Sequence, residues 1–79
     1  KGLHYMIDYP DIGYTPTNFK ALVEATQLSK KDFIDQFDLN RAMFFRHQQG
    51  QSTMSYQDWE DFRSKVELYI KQTHPKERG

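Results

Sequence analysis

Apolar side chains recur every three or four residues through most of the chain, which is the spacing of helices with one buried face. Four such stretches begin in the same way, with a Ser, Thr or Asn suited to cap a helix. In each case an apolar residue before the cap can pack against another apolar residue four positions after it. The four sets are Tyr14-Thr15 with Phe19, Leu28-Ser29 with Phe33, Leu39-Asn40 with Phe44, and Met54-Ser55 with Trp59. The pattern predicts an all-α domain of four helices.

The ends of these helices are also indicated. Pro16 occupies the first position of the first helix, where its missing N–H costs nothing, and Gly50 suits the C-terminal cap of the third. The second helix is predicted from Lys30 to about Phe37, the third over residues 41–49, and the fourth as a long amphipathic helix. Its apolar stripe, which we expect to form either the core or a dimer face, is Tyr56, Trp59, Phe62, Val66, Tyr69 and Ile70.

Outside these helices the chain has a different character. Residues 1–14 lack helical periodicity and are interrupted by Pro and Gly, so they are predicted to form an extended N-terminal arm. We expect apolar side chains to lay this arm on the core, namely Tyr5, Ile7, Tyr9 and Ile12. Residues 15–72 form the predicted compact domain, with a polar tail over residues 73–79.

Composition narrows the class of protein. Seventy-nine residues suffice for one core only, and the eleven basic and eleven acidic side chains cancel, which disfavours a strong non-specific polyanion binder. The chain has no cysteine, no apolar run long enough to span a membrane and no paired histidines at metal-ligand spacing. We therefore expect a cytoplasmic protein that is not an enzyme and has no metal, no cofactor, no membrane association and no evident small-molecule ligand.

The join between the second and third helices is the most informative local feature. Only Asp38 and Leu39 stand between Phe37 and the Asn40 cap. Two short helices joined so tightly cross at a steep angle, and the second then protrudes as a rod. A rod of that width fits the major groove of DNA.

In the third helix Phe44 is placed to face the core, so the opposite side is turned outward. The outward side chains are Ala42, Arg46 and Gln49, with Phe45 on the flank and Arg41 at the exposed start. Arginine can bond guanine with two hydrogen bonds, glutamine can pair with adenine, and Ala or Phe can contact a thymine methyl group. The alternatives are that the arginines are ordinary exposed residues and that Phe45 belongs to the core.

At this point the sequence resembles a known family, the lambda-repressor-like helix-turn-helix regulators of the Cro/repressor (XRE) type. The resemblance covers residues 21–50 without a gap and is carried by ALVEATQLSKKDF and NRAMFFR, ending at Gly50. Asp38 stands where the family usually has Gly, and Asp tolerates the left-handed conformation of that turn better than most residues. The resemblance implies phosphate contacts from Ser29, Lys30 and Lys31, and base contacts from Asn40, Arg41, Ala42, Phe45 and Arg46.

Together these observations predict a sequence-specific double-stranded DNA-binding transcriptional regulator of phage, plasmid or bacterial type that works as a repressor. A homodimer is expected because one short reading helix covers few base pairs. The fourth helix or the N-terminal arm would supply the dimer face. The alternative is a protein-interaction module on the same fold, such as an adaptor or antitoxin, which the neutral net charge and the acidic fourth helix favour.

Overall fold

The computed structural model of the protein describes residues 12–73, and within that range every regular element is an α-helix. The helices are α1 (Pro16–Ala25), α2 (Lys30–Gln36), α3 (Arg41–Gln49) and α4 (Tyr56–Thr73). The predicted all-α fold of four helices is confirmed. Most of the predicted arm and nearly all of the predicted tail lie outside the described residues, although α4 extends to Thr73, the first residue assigned to that tail.

All four helices begin at the predicted caps, and each cap forms the same hydrogen bond. The side-chain oxygen of the cap accepts from the backbone N–H three residues later, which satisfies one of the donors that a helix N-terminus leaves free. The donor-to-acceptor distances are 3.0 Å from Asn18 to Thr15, 3.1 Å from Asp32 to Ser29, 2.9 Å from Met43 to Asn40 and 3.1 Å from Asp58 to Ser55.

The first three helices end in a left-handed residue. Gly50 follows α3 with φ of 82°, and a Cβ at this position would lie 2.9 Å from Cγ of Pro16. Asp38 and Gln27 follow α2 and α1 with φ of 52° and 63°. Only glycine takes this conformation without steric cost, so Gln27 and Asp38 adopt it at a cost in conformational energy.

One aromatic-rich core joins all four helices. Its buried apolar side chains are Phe19, Leu22, Val23, Phe33, Ile34, Phe37, Phe44, Trp59, Val66 and Ile70. Phe44 of α3 lies at its centre, with ring centroids 5.5 Å from Phe19 of α1 and 5.7 Å from Phe33 of α2. Tilted and edge-on aromatic pairs at these distances are favourable beyond the area they bury. Thr26, which follows α1, is buried with the inner face of that helix.

The predicted stripe of α4 divides in two. Trp59, Val66 and Ile70 are buried, while Phe62 and Tyr69 are half-buried and pack against the core. Tyr56 is 62% exposed. Five of the six side chains therefore lie on the core side, and only Tyr56 at the start of the helix is open to a partner.

Arg63 of α4 forms two ion pairs along the helix, with Glu60 at 2.5 Å and with Glu67 at 2.8 Å. The hydrogen bond from Arg63 lowers the pKa of the Glu60 carboxyl.

The chain before α1 is attached differently from expectation. Ile12 is 88% exposed, so the prediction that it lays the arm on the core is wrong, and Tyr5, Ile7 and Tyr9 lie outside the described residues. Attachment comes instead from a hydrogen bond and an aromatic contact. The buried Asn18 of α1 donates to the Gly13 carbonyl at 2.8 Å, and Tyr14 packs edge-on against Trp59 at 6.3 Å.

Candidate nucleic-acid interface

The turn between α2 and α3 is held by backbone hydrogen bonds around Asp38. The N–H of Asp38 donates to the Asp35 carbonyl at 3.3 Å, and the N–H of Leu39 donates to the Ile34 carbonyl at 3.0 Å. This pair of bonds is a Schellman motif, in which the residue after the cap takes the left-handed conformation. Asp38 fills the place that glycine usually takes, as the sequence predicted. The motif fixes the direction in which the chain enters α3.

The outer side of α3 is open. The exposed side chains include Asn40 at the cap and Arg41, Ala42, Arg46 and Gln49 along the helix. The helix contains no acidic residue, and neither Arg41 nor Arg46 forms an ion pair with another residue of 12–73. The predicted reading face is therefore neither covered by the fold nor neutralised by it.

Phe45 lies beneath this face rather than on it. It is half-buried, its ring centroid is 5.1 Å from that of Phe44 in an edge-on arrangement, and it packs against the core. The guanidinium carbon of Arg41 lies 5.8 Å from the centroid of the Phe45 ring, within the range of a cation–π interaction. Phe45 thus supports Arg41 through a ring contact that helical periodicity alone does not predict.

The guanidinium of Arg46 contacts a methionine side chain and not an aromatic ring. One of its terminal nitrogens lies 3.7 Å from the sulfur of Met43, one turn earlier on α3. Thioether sulfur is only a weak acceptor, so the guanidinium keeps most of its donors available to a ligand.

The residues expected to hold phosphates lie around the start of α2. The Ser29 hydroxyl caps the helix, and Lys30 is exposed with no ion pair among the described residues. Lys31 is paired with Asp35 at 3.3 Å, although both side chains remain largely exposed. A surface pair of this kind contributes little energy and is easily exchanged for a phosphate, but it makes Lys30 the more available cation.

The far end of α3 is tied to the chain preceding α1. The Tyr14 hydroxyl donates to the His47 carbonyl, and burial raises the pKa of Tyr14. The His47 ring is half-buried 5.7 Å from Tyr14 and 5.8 Å from Phe19, and its Nδ1 lies 3.1 Å from the Ser52 carbonyl. His47 is therefore a half-buried packing residue. These contacts brace α3 from behind.

Two polar residues near this surface were not among the site residues predicted from the sequence. Lys20 of α1 and Gln48 of α3 line one surface cleft with Lys30. Helical periodicity marks Lys20 as exposed, but it carries no information about which residues of other helices stand beside it.

Other kinds of site are not evident in residues 12–73. No group of three or more His, Asp or Glu side chains in that range could hold a metal ion, and no helix in it is long and apolar enough to cross a membrane. No family model, curated protein or solved structure matches the chain.

Proposed function

We propose that this protein is a sequence-specific double-stranded DNA-binding transcriptional regulator that acts as a repressor. In this proposal α3 enters the major groove, and Arg41, Ala42, Arg46 and Gln49 contact base edges, with Asn40 at the start of the helix. Ser29, Lys30 and Lys31 contact the backbone. The protein acts by binding rather than by catalysis, and its place of action is the cytoplasm, on the nucleoid.

The observation that carries this proposal is the outer side of α3. This side carries two arginines that form no ion pair with residues 12–73, together with a carboxamide and no carboxylate. The short helix is supported from behind by Phe44. Such a surface presents hydrogen-bond donors to base edges that accept hydrogen bonds, and it does not repel the flanking phosphates. The tight turn at Asp38 and the resemblance of residues 21–50 to helix-turn-helix regulators support the same conclusion.

A homodimer is part of the proposal. One helix of nine residues reads only a few base pairs, whereas two copies can read half-sites about 34 Å apart, one turn of the duplex. Most of the apolar stripe of α4 packs against the core. A dimer face on this helix would therefore use Tyr56 or the outer side, where Leu68 is 54% exposed. The N-terminal arm is the other candidate for this face.

The test is selection of binding sites from a random duplex library, followed by titrations at several salt concentrations. We expect one enriched motif with two related half-sites. Arg46→Ala should relax the preference at one base pair per half-site, a change of about 1–3 kcal/mol, because a guanidinium contact to a base edge is lost. Lys30→Ala should weaken binding to all duplexes alike and reduce the salt slope by about 1.

Lys65→Ala is the matched control, since Lys65 is an exposed lysine of α4 with no ion pair among the described residues. It removes the same charge from outside the proposed interface and should leave both quantities unchanged. Equal, weak binding of the wild type to every sequence would contradict the proposal.

The second candidate is a protein-interaction adaptor or antitoxin-like module. The net charge of zero favours it, as do the exposed side chains of Tyr56 and Leu68. Retention on heparin at moderate salt followed by a discrete gel shift with the selected duplex supports the regulator. Flow-through on heparin with no shift supports the adaptor.

A further inference from the structure

A cleft of about 210 Å³ opens between α1, the start of α2 and the end of α3. We call it the α1–α2 cleft. Its lining residues are Lys20, Val23, Glu24, Lys30 and Gln48. It therefore includes one of the lysines already assigned to phosphate contact and three polar residues with no role so far.

The charges in this cleft are not balanced by the fold. Lys20 and Lys30 come from different helices, and neither forms an ion pair with any residue of 12–73. Glu24 stands one helical turn after Lys20, a spacing that permits an ion pair, yet the structure shows none. With Glu24 counted, the two lysines still leave the cleft with a net positive charge, which an anion would neutralise.

The position of the α1–α2 cleft relates it to the proposed reading helix. Gln48 belongs to the last turn of α3, next to Gln49 on the outer face. An anion in the cleft would therefore lie beside the end of α3 and not in front of it. When a helix lies in the major groove, the groups beside its ends are the backbone phosphates that border the groove.

We infer that the α1–α2 cleft seats one backbone phosphate of bound double-stranded DNA, held by Lys20 and Lys30 and hydrogen-bonded by the Gln48 amide. The inference rests on the proposed function and adds α1 to the DNA-binding surface. Val23, which is buried at the back of the cleft, offers an apolar wall to the adjoining sugar. Glu24 opposes the phosphate and weakens the contact.

Variants at the cleft should change binding in opposite directions. One phosphate contact releases about 0.9 counterion, and Lys20 shares its phosphate with Lys30. Lys20→Ala should therefore weaken binding to every duplex about twofold at 0.15 M salt, with a salt slope smaller by about 0.5. Glu24→Gln keeps the shape of the side chain, removes its charge and should strengthen binding. Gln48→Ala should weaken binding without changing the slope, since its amide is neutral. Lys65→Ala is the charge-matched control.

The site of contact is tested with operator duplexes that carry one neutral methylphosphonate at a time. For the wild type, neutralising the phosphate that sits in this cleft should lower the affinity, at one position beside each half-site. For Lys20→Ala, neutralising the same phosphate should lower the affinity by less, because part of the contact is already missing. Circular dichroism and thermal unfolding confirm that each variant is folded. The inference is overturned if Lys20→Ala keeps the wild-type salt slope. It is also overturned if the loss of binding free energy from Lys20→Ala adds fully to the loss from each methylphosphonate, at every position tested.

These outcomes are separable from failure of the proposed function. A wild-type protein that selects no DNA sequence overturns both proposals. A wild type that selects an operator, combined with a Lys20→Ala variant indistinguishable from Lys65→Ala, overturns the phosphate site alone and leaves the reading helix standing.

Discussion

At the scale of single residues, the two arginines of α3 differ in how they are held. Arg41 lies over the ring of Phe45, which itself packs against Phe44, whereas the guanidinium of Arg46 contacts the flexible side chain of Met43. An arginine held by a rigid aromatic ring loses less conformational entropy on binding than one held by a methionine. The structure thus places one guanidinium on a rigid ring at the start of the helix and the other beside a flexible side chain a turn later.

The role of Phe45 can be tested by Phe45→Leu. Leucine retains an apolar side chain against the core but offers no ring to the guanidinium, so we expect operator affinity to fall about two- to fivefold, as for loss of an exposed cation–π contact. In the Arg41→Ala background the same substitution should have no further effect on affinity, because the guanidinium that contacts the Phe45 ring is absent. Binding titrations over this double-mutant cycle provide the measurement. If Phe45→Leu is equally damaging without Arg41, Phe45 contacts DNA itself.

At the scale of the elements, short-range contacts define each helix. The caps set the starts, and a left-handed residue ends each of the first three helices. This residue stands two positions before the next cap after α1 and α2, and five positions before it after α3. α1 shows how closely this is arranged. The buried Thr26 hydroxyl donates to the Val23 carbonyl at 2.6 Å and accepts from the Leu28 N–H at 3.2 Å, so a side chain completes the turn.

The left-handed residue after α1 predicts a stabilising substitution. Gln27 lacks the short polar side chain that makes this conformation tolerable for Asp38, so Gln27→Gly should relieve strain and raise the free energy of unfolding by about 1 kcal/mol. Asp38→Gly should stabilise less. Lys65→Gly, at an exposed position in the middle of α4, should instead destabilise by about 1 kcal/mol. Urea unfolding measures all three, and a loss of stability in Gln27→Gly would contradict the argument.

At the scale of the whole molecule, the end of α3 is joined to the start of the fold. Tyr14 packs against Phe19, Trp59 and His47 and donates its hydroxyl proton to the His47 carbonyl. Pro16 fills the space beside Gly50, where no larger residue fits without displacement. The proposed reading helix is thus held at its start by the turn at Asp38 and at its end by the chain before α1.

This tie predicts a dependence of stability on alkaline pH. The pKa of Tyr14 is raised in the folded protein, so its contribution to stability is complete below the unfolded pKa of about 10 and is lost as the pH rises through the folded pKa. Wild-type stability should therefore fall above about pH 10 more steeply than that of Tyr14→Phe, which has no proton to lose. Denaturant unfolding of both proteins between pH 8 and pH 11 compares the slopes, and parallel curves would contradict the prediction.

Much of this architecture could be predicted from the sequence because it depends on contacts within a few residues. A cap such as Asn40 bonds the N–H three positions away, and a staple such as Leu39 with Phe44 spans five positions, so both can be found in the sequence alone. The same holds for the inner face of each helix and for the left-handed Asp38. The candidate base contacts on α3 also follow from the period of a single helix.

Only the tertiary structure decided which helices stand side by side. The contact of Tyr14 with His47 joins residues 33 positions apart, and the α1–α2 cleft draws on three helices. The half-burial of Phe45 and the exposure of Ile12 and Tyr56 depend in the same way on where neighbouring elements lie. The physical reason is that helix packing is set by the shapes of whole apolar faces fitting together, and no local pattern states which polar residues will border the resulting seams.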